Sequence, residues 1–357
     1  MASSPAFFES FLSPPDFYRG TDFWMLNDKL EDGELIRQLQ EMKKAGVYSV
    51  IARTYIGLKS DYPGPEFKKK MRLVVDTANA LGMKIVLQAG YMPEAVLGLP
   101  EEFALTNLVP KKRGEPAPEG GELLGEEGDL ALWAVNSKTF LDMFSAPAVD
   151  FYVKQSYEEM WRDFFADFGR GVFSIWVDEP SYHERLLPYP SCLEEVYRQT
   201  WGDELRPRVA ELFLDVGDFK RTRYRYRRIL ADLFESSYFA KVKAWCESHG
   251  VWFSGHLMTE DTLRWQIRRS AATMPYYKYF DMPGLDYLTT QMHWKQDEVK
   301  NQNGDYTFEE QFFTTALQCT SAARQAGKEH VLCEMYGVTS EDLNFRDQKH
   351  IFDFFAF

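Results

Sequence analysis

A short apolar run, then an amphipathic stretch closed by glycine, recurs along this chain, and that rhythm narrows the fold to parallel βαβ units. The first run, Thr21–Asn27, precedes Leu35, Ile36, Leu39 and Met42 at helical spacing, and Gly46 stops that helix. Val47–Tyr55 is the second run; after Pro63-Gly64-Pro65, a helix through Met71, Val74, Val75 and Ala78 reaches Gly82, and Met83–Gln88 is the third. Parallel neighbours need a crossover rather than a hairpin, and each helix supplies one.

Residues 94–148 interrupt the pattern. Lys111–Gly128 is rich in Gly, Pro and Glu and has no period, so it is expected to be a solvated loop excursion, with a small hairpin around Leu130–Val135. A helix over 149–168 then leads into a fourth strand, Val172–Val177. Helices fill 183–249, a long one over 219–248 included, before a fifth strand at Val251–Ser254. A sixth strand is expected at Leu285–Gln291, a helix through Phe312, Ala316 and Cys319, a seventh strand at His330–Glu334, and a last helix at Arg346–Phe357. A closed barrel of this type has eight such units. The predicted fold is therefore α/β, a TIM-barrel-like (β/α)8 architecture truncated before its eighth strand. An N-terminal arm, 1–20, precedes a catalytic barrel domain, 21–357, with a loop insertion at 94–148 and a helical insertion at 183–249. Strands one and seven would be open edges, to be covered by a second copy in a homo-oligomer or by a complementing C-terminal segment.

Charge narrows the partners. Forty-one Lys plus Arg against 54 Asp plus Glu leave −13, which repels phosphate backbones, so no nucleic acid is expected. The run Arg221–Arg228, with Arg and Tyr interleaved, is read as a solvated helix face paired with nearby carboxylates rather than an RNA surface. No stretch of eighteen uncharged apolar residues occurs, so no membrane partner is expected. The start lacks the basic and apolar regions of a signal peptide, which makes the cytoplasm the default location, with secretion open to a chain whose leader has been removed. Cys192, Cys246, Cys319 and Cys333 form no C-x-x-C pair and are read as reduced thiols.

In barrels of this kind chemistry gathers where the strands end. Two apolar runs end on carboxylates: Ile175-Trp176-Val177-Asp178-Glu179-Pro180 and Val331-Leu332-Cys333-Glu334-Met335-Tyr336. A pair of carboxyl groups across a barrel mouth suits glycosidic cleavage, one neutral to protonate the leaving oxygen and one ionised to activate water or attack carbon. Glu179 is the candidate acid, because Pro180 fixes the chain after it and Trp176 and Tyr182 offer apolar surroundings; Glu334 is the candidate base or nucleophile, and Asp178 supports them. A helix cap or an Arg partner is the structural alternative for either Glu. His256 and Glu260, four apart, could face a sugar hydroxyl or a cation, although Glu260 equally suits the first turn of a helix over 261–270. Arg53, Gln88 and His293 are further candidates for binding sugar hydroxyls. The chain is 16% aromatic, and Trp24, Trp176, Tyr91, Tyr182, Trp294 and Tyr336 lie at strand ends where rings stack on sugars; core packing is the alternative for each. The H-E-x-x-H, G-x-G-x-x-G, P-loop and G-x-S-x-G patterns are absent, which speaks against transition-metal sites, nucleotide cofactors and serine hydrolysis.

Asp178-Glu179-Pro180-Ser181, Phe253-Ser254-Gly255-His256-Leu257-Met258-Thr259-Glu260, Met282-Pro283-Gly284-Leu285-Asp286 and Glu334-Met335-Tyr336-Gly337, in this order and spacing, resemble the catalytic barrel of glycoside hydrolase family 106, the α-L-rhamnosidases. The opening, from Asn27 to Gly46, is similar as well. The resemblance implies an inverting hydrolase of a carbohydrate substrate, with the general acid at Glu179, the general base at Glu334, and a calcium ion assisting sugar binding. The metal ligands stay unassigned. Two alternatives remain: a carbohydrate-binding or interaction protein with a degenerate barrel, and a metal-dependent barrel lyase or isomerase with Asp178, Glu179 and Glu334 as ligands.

Overall fold

The structure, a computed structural model, describes residues 5–88, 96, 98–182, 186–258, 260, 262–288, 309–337 and 343–356. Helix α1 (Pro5–Leu12) precedes β1 (Thr21–Leu26), α2 (Asp32–Lys44), β2 (Ser49–Thr54), α3 (Pro65–Ala80) and β3 (Lys84–Gln88). Helix α2 buries Leu35 and Leu39, one turn apart, and carries Asp32 and Glu34 in its first turn and Lys43 and Lys44 in its last, each favoured by the helix dipole. Helix α3 starts on Pro65, whose missing N–H is no loss there, and buries Met71, Val74, Val75 and Ala78. Four successive residues of β2, Ser49–Ala52, are buried, as expected of a parallel strand covered on both faces.

Next come β4 (Ala104–Lys112), β5 (Glu122–Glu127) and β6 (Leu130–Leu141), then α4 (Ala146–Phe164), β7 (Val172–Val177), β8 (Leu187–Pro188) and α5 (Leu193–Trp201). Helices α6 (Phe219–Phe234) and α7 (Ala240–Ser248) are joined through a π turn at Glu235–Phe239. The chain continues with β9 (Trp252–Gly255), α8 (Leu263–Arg269), β10 (Met282–Leu288), α9 (Glu309–Gln325), β11 (Leu332–Gly337) and α10 (Phe345–Ala356).

Seven strands form a parallel sheet in the order β1-β2-β3-β7-β9-β10-β11. Among the described residues these seven strands follow sequence order without reversal, the strand order of a TIM-like barrel. The expected excursion at 94–148 is instead largely a second sheet, antiparallel, in the order β5-β6-β4-β8. Lys111–Gly128 reads as loop because β5, Glu-Leu-Leu-Gly-Glu-Glu, buries little and shows no alternation. The hairpin expected around Leu130–Val135 lies earlier, because those residues are within β6: Glu127 pairs with Leu130 across Gly128-Asp129, and Gly128 takes a φ of 56°.

The chain divides into two compact units. The first comprises Met1–Gly90, Lys154–Trp176 and Trp245–Phe253; its core includes Val50, Ile51, Val75, Ile85, Val86 and Ile175. The second comprises Tyr91–Val153, Val177–Ala244 and Ser254–Phe357. There Phe234, Phe239, Tyr276 and Phe280 pack around one another, with Phe239 and Tyr276 stacked 4.5 Å apart. The largest fully buried side chains are all Tyr or Phe, so much of the aromatic surplus goes into the core. The arginine run on α6 is neutralised locally: Arg221 pairs with Asp218, Arg223 with Asp215, Arg225 with Asp203 and Arg228 with Asp232. All four cysteines are free thiols, and no described helix is long and apolar enough to cross a membrane.

Asp142, just before α4, is buried, and its Oδ1 accepts the Phe144 N–H at 3.0 Å. Burial pushes its carboxyl up to about 7, against the pull of the backbone N–H groups of Phe144 and Ser145. Between about pH 4 and pH 7 the folded chain keeps a proton that the unfolded chain has lost, so this group makes folding less favourable as pH rises. Asp142→Asn keeps an acceptor at the cap and is expected to flatten the fall in stability over that range. Urea midpoints at pH 4.5 and 7.5 check this, and an unchanged slope would contradict it.

Candidate active site

Four segments of the second unit bring the site together. Asp178 and Glu179 follow the end of β7, His256 follows the end of β9, Asp286 lies in β10 and Glu334 in β11. Strand β10 starts three residues earlier than the apolar run suggested, and β11 runs on to Gly337, so Glu334 sits within its strand rather than at its end. Asp286 and Glu334 are register partners across the β10–β11 ladder.

Two glycines permit this convergence. A Cβ on Gly255 would lie 2.1 Å from the Val177 carbonyl oxygen, and one on Gly284 would lie 2.7 Å from the Gly255 carbonyl oxygen. Only residues without a side chain let β7, β9 and β10 pass this closely. Gly255 also takes a φ of 146°. Glu179 itself has a φ of 49° directly before Pro180, and Tyr336 one of 68°. Residues before proline and residues other than glycine both disfavour this region, so the fold is holding strained backbone beside its carboxyl groups.

His256 is the hub. Its Nε2 lies 2.8 Å from Glu334 Oε2 and 3.4 Å from Asp178 Oδ1, and its Nδ1 lies 3.2 Å from the Leu257 carbonyl oxygen. Both ring nitrogens face oxygen atoms, an arrangement that a doubly protonated ring satisfies. Burial opposes that charge but is outweighed by the hydrogen bonds to Asp178 and Glu334 and by the nearby Asp286 and Glu260, so the imidazole pKa is raised well above its usual value. The raised pKa favours the imidazolium form of His256.

Burial raises the Glu179 carboxyl to about 7; His256 opposes the shift, while Asp178, Asp286 and Glu334 add to it. Ligating atoms of Glu179, His256 and Asp286 lie within 4.8 Å of one another, as do those of Asp178, His256 and Glu334. Exposure divides the set. Asp178, His256 and Glu260 are buried, whereas Glu179, Asp286 and Glu334 reach solvent in part.

Glu260 braces the site instead of facing a ligand. Its Oε1 accepts the Leu257 N–H at 2.6 Å and its Oε2 the Asp286 N–H at 3.0 Å, tying the His256 segment to β10. Burial raises its carboxyl to about 8, against His256 and these two N–H donors. Tyr182 is likewise interior: its hydroxyl donates to the Ile267 carbonyl oxygen and accepts from Arg227 and from the Ala271 N–H. The Tyr336 hydroxyl donates to the Gln348 carbonyl oxygen at 3.0 Å, toward α10. In the first unit Trp176 is buried edge-on against Phe23, Trp24 donates to Gln38, and Arg53 lies over the Phe23 and Tyr55 rings. Gln88, the last residue of β3, is partly buried in that unit. Tyr91, His293 and Trp294 lie outside the described residues. Asp286 is the member of the cluster that sequence reasoning left off its candidates; its signal was a lone carboxylate within the apolar run Met282–Leu288.

Among the described residues the donor set does not fit calcium. That ion takes six to eight oxygen ligands, whereas the groups Asp178-His256-Glu334 and Glu179-His256-Asp286 each bring together two carboxylates and an imidazole nitrogen. No step below runs through a metal.

No protein-family model and no curated protein matches the chain. Among solved structures, a rhamnosidase from Novosphingobium sp. PP1Y is similar over 93% of this chain and 53% of its own, at 12% identity and a TM-score of 0.63. A beta-galactosidase from Rahnella sp. R3 follows, at 11% identity over 78% of this chain and 41% of its own, with a TM-score of 0.45. An alpha-amylase from H. orenii matches at 10% identity over 74% and 51%, with a TM-score of 0.32. The latter two scores are too low to bear on the fold. The chain spans about half the length of the rhamnosidase, and at that identity the likeness is one of fold: an α/β architecture shared with a glycoside hydrolase.

Proposed function

We propose that this chain is a glycoside hydrolase working by general acid and base catalysis, with Glu179 as the acid and Glu334 as the base or nucleophile. One arrangement carries the reading: within one cluster, the partly accessible Glu179 carboxyl is raised to about 7 by burial and neighbouring anions, while Glu334 lies 2.8 Å from Nε2 of the buried His256. Glycosidic cleavage needs that division of labour.

In this reading Glu179 gives its proton to the glycosidic oxygen as the bond to the anomeric carbon breaks and its electron pair leaves with that oxygen. Glu334 takes a proton from the water that attacks the anomeric carbon. The family resemblance favours this inverting course over direct attack by Glu334. His256 holds Glu334 in place and compensates its charge, and Asp178, also on Nε2, orients the ring. Burial and the negative charge of Asp178, Asp286 and Glu334 keep the Glu179 proton in place near neutral pH, so the acid form is there to donate it. The similarity to a rhamnosidase makes an α-L-rhamnoside the first substrate to try.

A panel of aryl glycosides, α-L-rhamnoside included, tests the proposal. Turnover of at least one is expected, with kcat/KM falling as pH rises through about 7, because Glu179 then loses the proton it must donate. Sugar binding without turnover of any member would select a binding protein instead. Glu334→Gln should lower kcat by about 10²–10⁴-fold for every substrate. Glu179→Gln should do so for poor leaving groups, yet much less for a nitrophenol that departs without protonation. Equal losses for good and poor leaving groups would remove Glu179 from the acid role.

A further inference from the structure

We propose that Asp286 is a sugar-binding carboxylate of this site, accepting hydroxyl groups of an uncharged glycone held beside Glu179 and Glu334. This rests on the glycosidase reading above for the identity of the ligand. Three features of the geometry support it. Asp286 sits in register with Glu334 on the adjacent parallel strand, and neighbouring strands run about 4.8 Å apart, so the two residues stand side by side at the site. Its carboxylate approaches Glu179 and His256 within 4.8 Å, so anything reaching Glu179 also meets Asp286. The residue is partly exposed, unlike Asp178 and Glu260, although its Oδ1 is itself buried, and its backbone N–H is fixed by Glu260 at 3.0 Å, so the carboxylate stands on a rigid support.

The charge of the surroundings names the ligand class. Of the groups acting on Glu179, His256 is the cation and Asp178, Asp286 and Glu334 are the anions. A uronate or a phosphorylated sugar would bring further negative charge to that side. Hydroxyl groups, which donate to carboxylates in charge-assisted hydrogen bonds, are the complementary chemistry. Asp286 also has an electrostatic consequence, since removing its charge takes away one of the anions that hold the Glu179 proton.

Binding of free L-rhamnose, D-galactose and D-glucose, with D-glucuronate as the charged comparator, would be measured by titration calorimetry on the wild type, Asp286→Asn, Asp286→Ser and Glu179→Gln. An uncharged sugar is expected to bind the wild type, glucuronate to bind more weakly, and both Asp286 variants to lose about 10-fold or more in affinity, as for a charge-assisted hydrogen bond. Glu179→Gln should keep its binding. In turnover, Asp286→Asn should raise KM and move the alkaline limb of kcat/KM to lower pH, a shift that a purely structural role would not produce. Near-UV circular dichroism would confirm that both variants fold, as expected because it is the backbone of Asp286 that Glu260 ties down. Wild-type affinity and an unmoved limb in both Asp286 variants would overturn the proposal, as would tighter binding of glucuronate or no sugar binding by the wild type. Asp286-dependent sugar binding with no turnover of any glycoside would instead uphold it while removing the glycosidase reading.

Discussion

An imidazolium buried among carboxylates is the interaction on which this site depends. Burying either charge alone is costly, and the arrangement persists because His256 meets Glu334 at 2.8 Å and Asp178 at 3.4 Å while its other nitrogen finds a carbonyl oxygen. Without that cation, the acidic groups of the cluster would face one another in a poorly solvated region and take up protons to relieve the repulsion. With it, Glu334 has a cationic partner, and Glu179, placed against burial and the remaining negative charge, is raised to about 7 and stays an acid. Because the folded-state pKa of His256 is raised, the stability this pairing contributes is full below the ordinary imidazole range and is lost only as pH climbs through the raised value.

The backbone is shaped to make that pairing. Gly255 lets β9 run against Val177, Gly284 lets β10 run against Gly255, and Glu260 ties the segment after β9 to β10 through two backbone N–H groups. The left-handed conformations of Glu179 and Tyr336 stand beside these contacts. Strain of this kind costs about 1–3 kcal/mol at each position and persists where the surrounding packing over-determines it. Here it orients Glu179 at the end of β7, where a relaxed strand would have carried the side chain onward. The supporting residues are interior and the chemical ones partly accessible, which is the division a preorganised site needs.

Much of the architecture was legible in the sequence because parallel strands and their covering helices write strong periods: β1–α2–β2–α3–β3 and β7 fall within a few residues of where apolar runs and terminal glycines put them. What escaped had weak local signals. Strand β5 carries no alternation, since little of it is buried, and the hairpin turns at Gly128-Asp129, ahead of Leu130–Val135 where it was expected. Asp286 was hidden because a carboxylate within an apolar run reads as a strand boundary, whereas the sheet register makes it the neighbour of Glu334. Tyr182 and Trp176 show the opposite case: an aromatic near a strand end suits a sugar platform or the core equally, and in the folded chain both are buried. Glu260 was picked out by its spacing from His256, but which way its carboxyl turned depended on backbone N–H groups that no residue pattern displays.

The central claim is the protonation state of His256, and nitrogen NMR of the histidine-labelled protein reads it directly. The chain has six histidines, and His256→Asn assigns the signal. At pH 8, where an ordinary imidazole is neutral, the account predicts that both ring nitrogens of His256 show the shifts of a doubly protonated ring. A neutral tautomer at that pH, with one nitrogen unprotonated, would contradict it.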